Sequence, residues 1–256
     1  MKRFYDTVTV TEAEDGFAVV LDGRPVRTPG RRPLRLPTRR LAEAVAGEWR
    51  AQRERIEPHR MPLTRLAATA LDHMPARRED AVRHLLDFAR SDTLCYRVST
   101  PPDLAERQAR CWQPWLDWAA RTLGAELQPT DGLALVPQPE AALARLEAVV
   151  RALDDWRLVA VHGLARDLHS LVLALAVEQG ALAAGEAFDL AHLEERYEIE
   201  RWGEVDLQRR RHAELRRSVE AAARFLALLA PEDLSPAPDG PAPAAAAAPR
   251  RRGRSP

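Results

Sequence analysis

Charge imbalance is the first thing missing from this sequence. Its 38 basic and 38 acidic side chains cancel over 256 residues, so no whole-molecule field marks nucleic acid or an anionic membrane as a partner. Lysine is nearly absent, Lys2 being the only one, and a single arginine is therefore a weak functional clue. Cysteine is scarce: Cys95 and Cys111 stand far apart without CxxC or Cys/His ligand spacing, which gives no support to a metal cluster and suggests two buried thiols in a reducing compartment. Long apolar runs are lacking too, since the longest, Leu171 to Val177, is far too short to span a bilayer. The start, MKRFYDTVTV, alternates like a strand and has neither the apolar core of a secretion signal nor a basic amphipathic presequence. A cytoplasmic location without stable membrane insertion is the expectation. Missing as well are GxxxxGKS/T, a GxGxxG after a strand, GxSxG and HExxH, which removes the common phosphate cradle, nucleophile elbow and zinc helix.

What is present is a composition, 46% hydrophobic and 30% charged, able to bury a sizeable core. The first forty residues read as strands and turns, with an Asp22-Gly23 hairpin signal and a proline-punctuated third piece suited to an edge. At Thr38, a plausible N-cap, the period changes to helical, and Leu41, Val45 and Trp49 fall on one face, which makes Trp49 mostly core. Thr64 is positioned to cap a short helix, another follows over about Arg78 to Ala89, and Ser91 to Val98 reads as an extended segment returning to the sheet. Beyond Pro102 the chain reads as helix. Leu104 to Leu123 carries Trp112, Trp115 and Trp118 and stops at Gly124; Ala141–Leu153, Trp156–Leu164, Ser170–Gln179, Glu186–Trp202 and about Val205–Leu229 follow. The expected fold class is α+β, with an amino-terminal α/β domain over residues 1–98, an all-helical domain over 99–230 and a disordered Pro/Ala/Arg-rich tail over 231–256.

Histidines are scattered singly. His162 and His169 beside Ser170 make a poor relay, and Ser170 reads better as a helix cap. The tryptophans of CWQPWLDW read as core, and the arginine runs at 209–211 and 250–254 as solvated. The stretch ERYEIERWGEVD is different, because five carboxylates crowd one Trp-Gly pair with only Arg196 and Arg201 beside them. In a helix, Glu194, Glu198 and Trp202 share a face, Glu195 lies on an adjoining line, and Gly203 exposes Glu204 and Asp206 on a turn. A metal cup needs ligands from more than one helix. Docking of a basic or subunit-interface surface fits better, while a solvated helix end is the bland reading. An enzyme using Glu195, Glu198 or Glu204 as acid or base, and an accessory protein that binds nucleic acid through its arginine tail, are the competing classes.

Taken together, RFYDTVTV, GFAVVLDGRPVRTP, LAEAVAGEWRAQ, MPLTRLA, SDTLCYR, the WQPWLDWAARTLGA helix, SLVLALAV and ERYEIERWGE resemble the Atp12 chaperones over about residues 3 to 230. The resemblance implies a small α/β domain joined to an orthogonal helical bundle. It also implies a non-enzymatic protein, needing no cofactor, that binds the free α subunit of the F1 sector of ATP synthase and shields the surface later covered by β. Glu204 in WGE is the position carried over first, within a partner-binding set of Glu195, Glu198, Trp202, Glu204 and Asp206, and Trp49 matches the family's EWxAQ element in a structural role. The family commonly has glutamine at Glu198 and a carboxylate directly after WGE, where this chain has Val205. A start almost at the first motif suggests a bacterial member.

Overall fold

The computed structural model describes residues 1–132 and 136–230, so the expected tail lies outside the described residues. Strands β1 (Val8–Ala13) and β2 (Gly16–Leu21) pair antiparallel, and β2 also takes β3 (Arg24–Pro25) and β4 (Arg35–Leu36). The Asp-Gly signal is a tight turn, with Asp22 and Gly23 both at positive φ, 45° and 78°. Asp22 anchors the chain start by accepting from the Thr7 N–H and hydroxyl, each at 2.8 Å, and these bonds hold its carboxyl below the usual range. At Gly16, φ 119°, a Cβ would stand 2.4 Å from the Leu36 carbonyl oxygen, so only glycine lets β4 approach.

Helix α1 (Arg39–Arg50) lies on this sheet through Leu41, Ala42, Val45 and Ala46, and Thr38 caps it as expected, its hydroxyl accepting from the Leu41 N–H. Helices α2 (Pro62–Asp72) and α3 (Met74–Arg90) follow. Thr64 does not cap α2. Pro62 opens that helix with its φ already set, and the acceptor comes from Glu48 on α1, which takes the Leu63 and Thr64 N–H groups at 2.8 Å each and the Thr64 hydroxyl at 2.7 Å.

The SDTLCYR segment departs from expectation. It does not rejoin the amino-terminal sheet: Thr93–Cys95 forms a 3₁₀ turn, and β5 (Tyr96–Arg97) pairs in parallel with β6 (Thr130–Asp131). The cause is Asp92, fully buried, whose carboxylate accepts from Leu94 N–H at 3.2 Å and from Val172 N–H at 3.1 Å and so pins the segment to the helices.

Helix α4 (Pro102–Trp118) runs into a π-helical turn, Ala119–Leu123, and ends at left-handed Gly124, with Trp112, Trp115 and Trp118 buried as expected. Then come α5 (Glu140–Ala152), α6 (Asp155–Leu168) and α7 (Leu171–Glu178). Ser170 caps α7, whose residues 171–177 are all buried, making it the central helix. The helix expected over Glu186–Trp202 is two, α8 (Ala184–Ala191) and α9 (Leu193–Trp202), broken at His192 (φ −104°, ψ 29°). Helix α10 (Asp206–Leu229) closes the fold against α6, α2 and α8, burying Val219, Ala222, Phe225 and Leu226. One hydrophobic cluster runs from Tyr5 to Leu226, because α2 and α3 pack on α6 across position 98. None of the described helices is long and apolar enough to cross a membrane.

Candidate functional site

Helix α9 stops because Gly203 takes φ 85° and ψ 168°, a backbone region that essentially only glycine holds. The chain then turns at Glu204 and Val205 and re-enters helix at Asp206. This corner leaves Trp202, Val205 and Leu207 exposed to 76%, 66% and 80%; only Met1 and Phe4 among the large apolar side chains of the described residues are comparably open. Three large apolar side chains within six residues of the chain therefore stand in solvent on either side of one glycine turn.

The carboxylates around this patch are answered from elsewhere in the fold. Arg107 of α4 binds Glu200 with two nitrogens, at 2.7 and 2.9 Å. Arg201 pairs with Asp103 and Arg196 with Asp189, so the two neighbouring arginines serve carboxylates outside the stretch. Arg209 bridges Glu204 at 2.8 Å and Asp206 at 2.9 Å. Gln108 donates to Glu194 at 2.5 Å, and burial pushes that carboxyl up. Glu198 is exposed and has no ion-pair partner among the described residues.

Glu195 has a different environment. Its Oε2 stands 3.1 Å from His192 Nδ1 and 2.5 Å from His212 Nε2. Burial pushes the Glu195 carboxyl up, but the two imidazoles outweigh it and leave the group below the usual carboxylate range. Burial pushes the buried His192 imidazole down against the pull of Glu195. Glu204 reaches toward the other side of the same ring, 4.0 Å from His212 Nδ1.

Of the five partner-binding residues expected from sequence, Trp202 is exposed, Glu204 and Asp206 share one guanidinium, Glu195 and Glu204 flank one imidazole, and Glu198 stands apart in solvent. Trp49 is half-buried on α1: its ring meets Tyr5 at 5.7 Å, the Tyr5 hydroxyl donates to its carbonyl at 2.7 Å, and its indole Nε1 is buried without a partner. Residue patterns missed His192, His212 and Arg107, and read Arg209 only as part of a solvated run, where it bridges Glu204 and Asp206. The available signal was the Gly203 break, since a helix that turns back there brings residues about two turns into α10 alongside the start of α9.

The fold and corner define a class: a predominantly helical α+β protein with one apolar, carboxylate-ringed corner open to solvent. Known proteins sharpen this. Residues 2–120 match the model of the ATP12 chaperone protein family. The crystal structure of Atp12 from Paracoccus denitrificans is 40% identical, with a TM-score of 0.85 over 90% of this chain and 98% of that one. A protein of Agrobacterium tumefaciens matches at 39% identity and a TM-score of 0.85, over 90% of this chain and 86% of its own. Protein atp12, mitochondrial, of Schizosaccharomyces pombe is 27% identical over 218 residues, 80% of this chain and 75% of its own length. The chain belongs to the Atp12 chaperone family.

Proposed function

We propose that this protein is a non-enzymatic assembly chaperone that binds the free α subunit of F1 ATP synthase in the bacterial cytoplasm and covers the α surface later taken by β. Atp12-family proteins are ATP synthase assembly chaperones. The observation that carries the reading to a surface is the corner of Trp202, Val205 and Leu207, which leaves large apolar groups in water while the carboxylates around them are already oriented. A tryptophan at the centre of such a patch is the kind of anchor that dominates protein contacts, and the acidic rim, with unpaired Glu198, selects a basic border on the partner. Covering an orphan subunit works by mass action: the bound, folded form is stabilised by RT ln(1 + [L]/Kd), and its apolar interface is kept from aggregating.

An acid–base enzyme is less well supported, since Glu198 lies open to solvent and Glu204 is engaged by Arg209. The test is size-exclusion chromatography of this protein with the F1 α subunit of the same organism, with β as control. Co-elution with α and not β is expected; no complex with α overturns the proposal.

A further inference from the structure

We propose that His192, Glu195 and His212 form a binding site for one divalent ion of the zinc class. Each residue offers one ligand atom, and these atoms lie within 4.8 Å of one another. Two elements contribute: His192 and Glu195 come from the α8–α9 junction, and His212 from the second turn of α10. This is the multi-element cup that the linear stretch around Trp202 cannot make alone.

The spacing suits coordination with little movement. In a tetrahedral zinc site with bonds of about 2.0–2.2 Å, neighbouring ligand atoms stand about 3.3 Å apart. The Glu195 oxygen is 3.1 Å from the His192 nitrogen and 2.5 Å from the His212 nitrogen, and all three ligand atoms lie within 4.8 Å of one another, so side-chain adjustment of the carboxylate and the imidazoles brings them to coordination distance. Two imidazoles and one carboxylate favour zinc, cobalt or nickel over magnesium or calcium, which prefer oxygen throughout. Three protein ligands leave a fourth position for water, and the half-exposed Glu195, 40% against 6% and 14% for the His192 and His212 side chains, is the ligand open to solvent.

Two further features surround the three ligand atoms. His192 Nε2 is buried with no hydrogen-bond partner, so the three side chains do not close a satisfied network. Nε2 is the nitrogen away from Glu195, so Nδ1 is the atom that faces the other two ligands, and an ion bound at Nδ1 would fix the ring proton on Nε2. Behind His212, on the nitrogen away from Glu195, stands the Glu204 carboxylate at 4.0 Å, itself fixed by Arg209 at 2.8 Å. At that distance the pair is not hydrogen-bonded, but a small side-chain shift on ion binding would bring the carboxylate onto Nδ1, where it would fix the orientation of a ligating imidazole. Phe188 supplies an apolar wall, 4.3 Å from the His192 ring and 6.0 Å from that of His212.

An ion held here clamps the α8–α9 junction to α10 and stiffens the corner that presents Trp202. The site stands independently of the α-subunit reading. The experiment uses the full chain after chelator treatment, titrated with Co²⁺ followed by visible absorbance and with Zn²⁺ followed by calorimetry and by NMR of the imidazole nitrogens. One ion per chain, tetrahedral cobalt bands and movement of the His192 and His212 signals are expected. Zinc at about a hundredfold over its Kd should raise Tm by about 5–10 °C. Glu195→Gln should weaken affinity at least tenfold and Glu204→Gln by about tenfold. Absence of saturable binding, or zinc-induced shifts confined to other histidines, overturns the site in the wild-type protein without reliance on any variant's folding. Equal affinity in Glu195→Gln, shown folded by circular dichroism, overturns it too.

Discussion

The Thr38 hydroxyl donates to the Leu228 carbonyl at 2.6 Å while accepting from the Leu41 N–H at 3.1 Å. One side chain thus caps the first turn of α1 and satisfies a carbonyl in the last turn of α10, 190 positions away. Helix ends leave just such groups unpaired, and a lost cap costs about 0.5–2 kcal/mol. Thr38→Val keeps the shape and removes both bonds, so it should cost about 2 kcal/mol and lower Tm by about 4–8 °C. Thr38→Ser should stay close to wild type. Urea and thermal unfolding of both variants decide the matter, and equal stability of the two would mean that the hydroxyl contributes nothing.

Glu48 serves α2 as Thr38 serves α1, but from another helix. Its three acceptor bonds to Leu63 and Thr64 are made in a site where burial pushes the carboxyl up. Glu48→Ala orphans two N–H groups in the first turn of α2 and should cost about 2–3 kcal/mol. Thr64→Ala loses only the hydroxyl bond and should cost about 1 kcal/mol or less. A reversed order in denaturant midpoints would restore Thr64 as the effective cap.

Local chemistry was legible in the sequence. The Asp22-Gly23 turn, the Thr38 and Ser170 caps, the Gly124 stop and the buried tryptophans of α4 each depend on residues a few positions apart. What was not legible depends on distant partners. Asp92 reaches Val172 and thereby sends the Tyr96–Arg97 strand to Thr130 instead of the amino-terminal sheet. The break at His192 carries no glycine or proline, so the helical pattern reads straight through it. At the corner, the crowd of carboxylates was visible, but its counter-charges were not, because Arg107 lies 93 positions before Glu200. The same holds for His212, which only the turn at Gly203 brings to Glu195.

Trp202 separates binding from folding. With 76% of its surface in water it contributes little to the fold, so Trp202→Ala should change stability by no more than about 0.5 kcal/mol. If it anchors the α subunit, the same change should weaken that complex by about 2 kcal/mol, roughly thirtyfold. Phe4→Ala removes a side chain that is 64% exposed outside the corner and should leave affinity unchanged. Glu204→Gln should lower affinity with Tm nearly unmoved. Calorimetric titration against α checks all three, and loss of affinity in Phe4→Ala but not in Trp202→Ala would move the interface to the amino-terminal sheet.

His162 should leave a pH signature of definite sign. Its Nε2 lies 2.8 Å from His84 Nδ1, and burial, followed by His84 and Arg166, pushes its imidazole down to about 4. An unfolded histidine titrates near 6.5, so below that pH the unfolded chain takes up a proton that the folded one refuses. Stability from this group is complete above about pH 6.5 and falls as pH drops toward 4, by about 2 kcal/mol once the half-buried position is discounted for solvent. Asp92 opposes it: burial raises that carboxyl to about 6, so its contribution is full below the unfolded value near 4 and is lost as pH rises through 6. The wild-type profile mixes the two and can look flat. The informative quantity is the difference between His162→Leu and wild type in urea-derived stability, which should shift in the variant's favour by about 2 kcal/mol between pH 6.5 and 4. A difference independent of pH over that window would show that the folded His162 takes up its proton as readily as the unfolded chain does, and that burial does not hold it down.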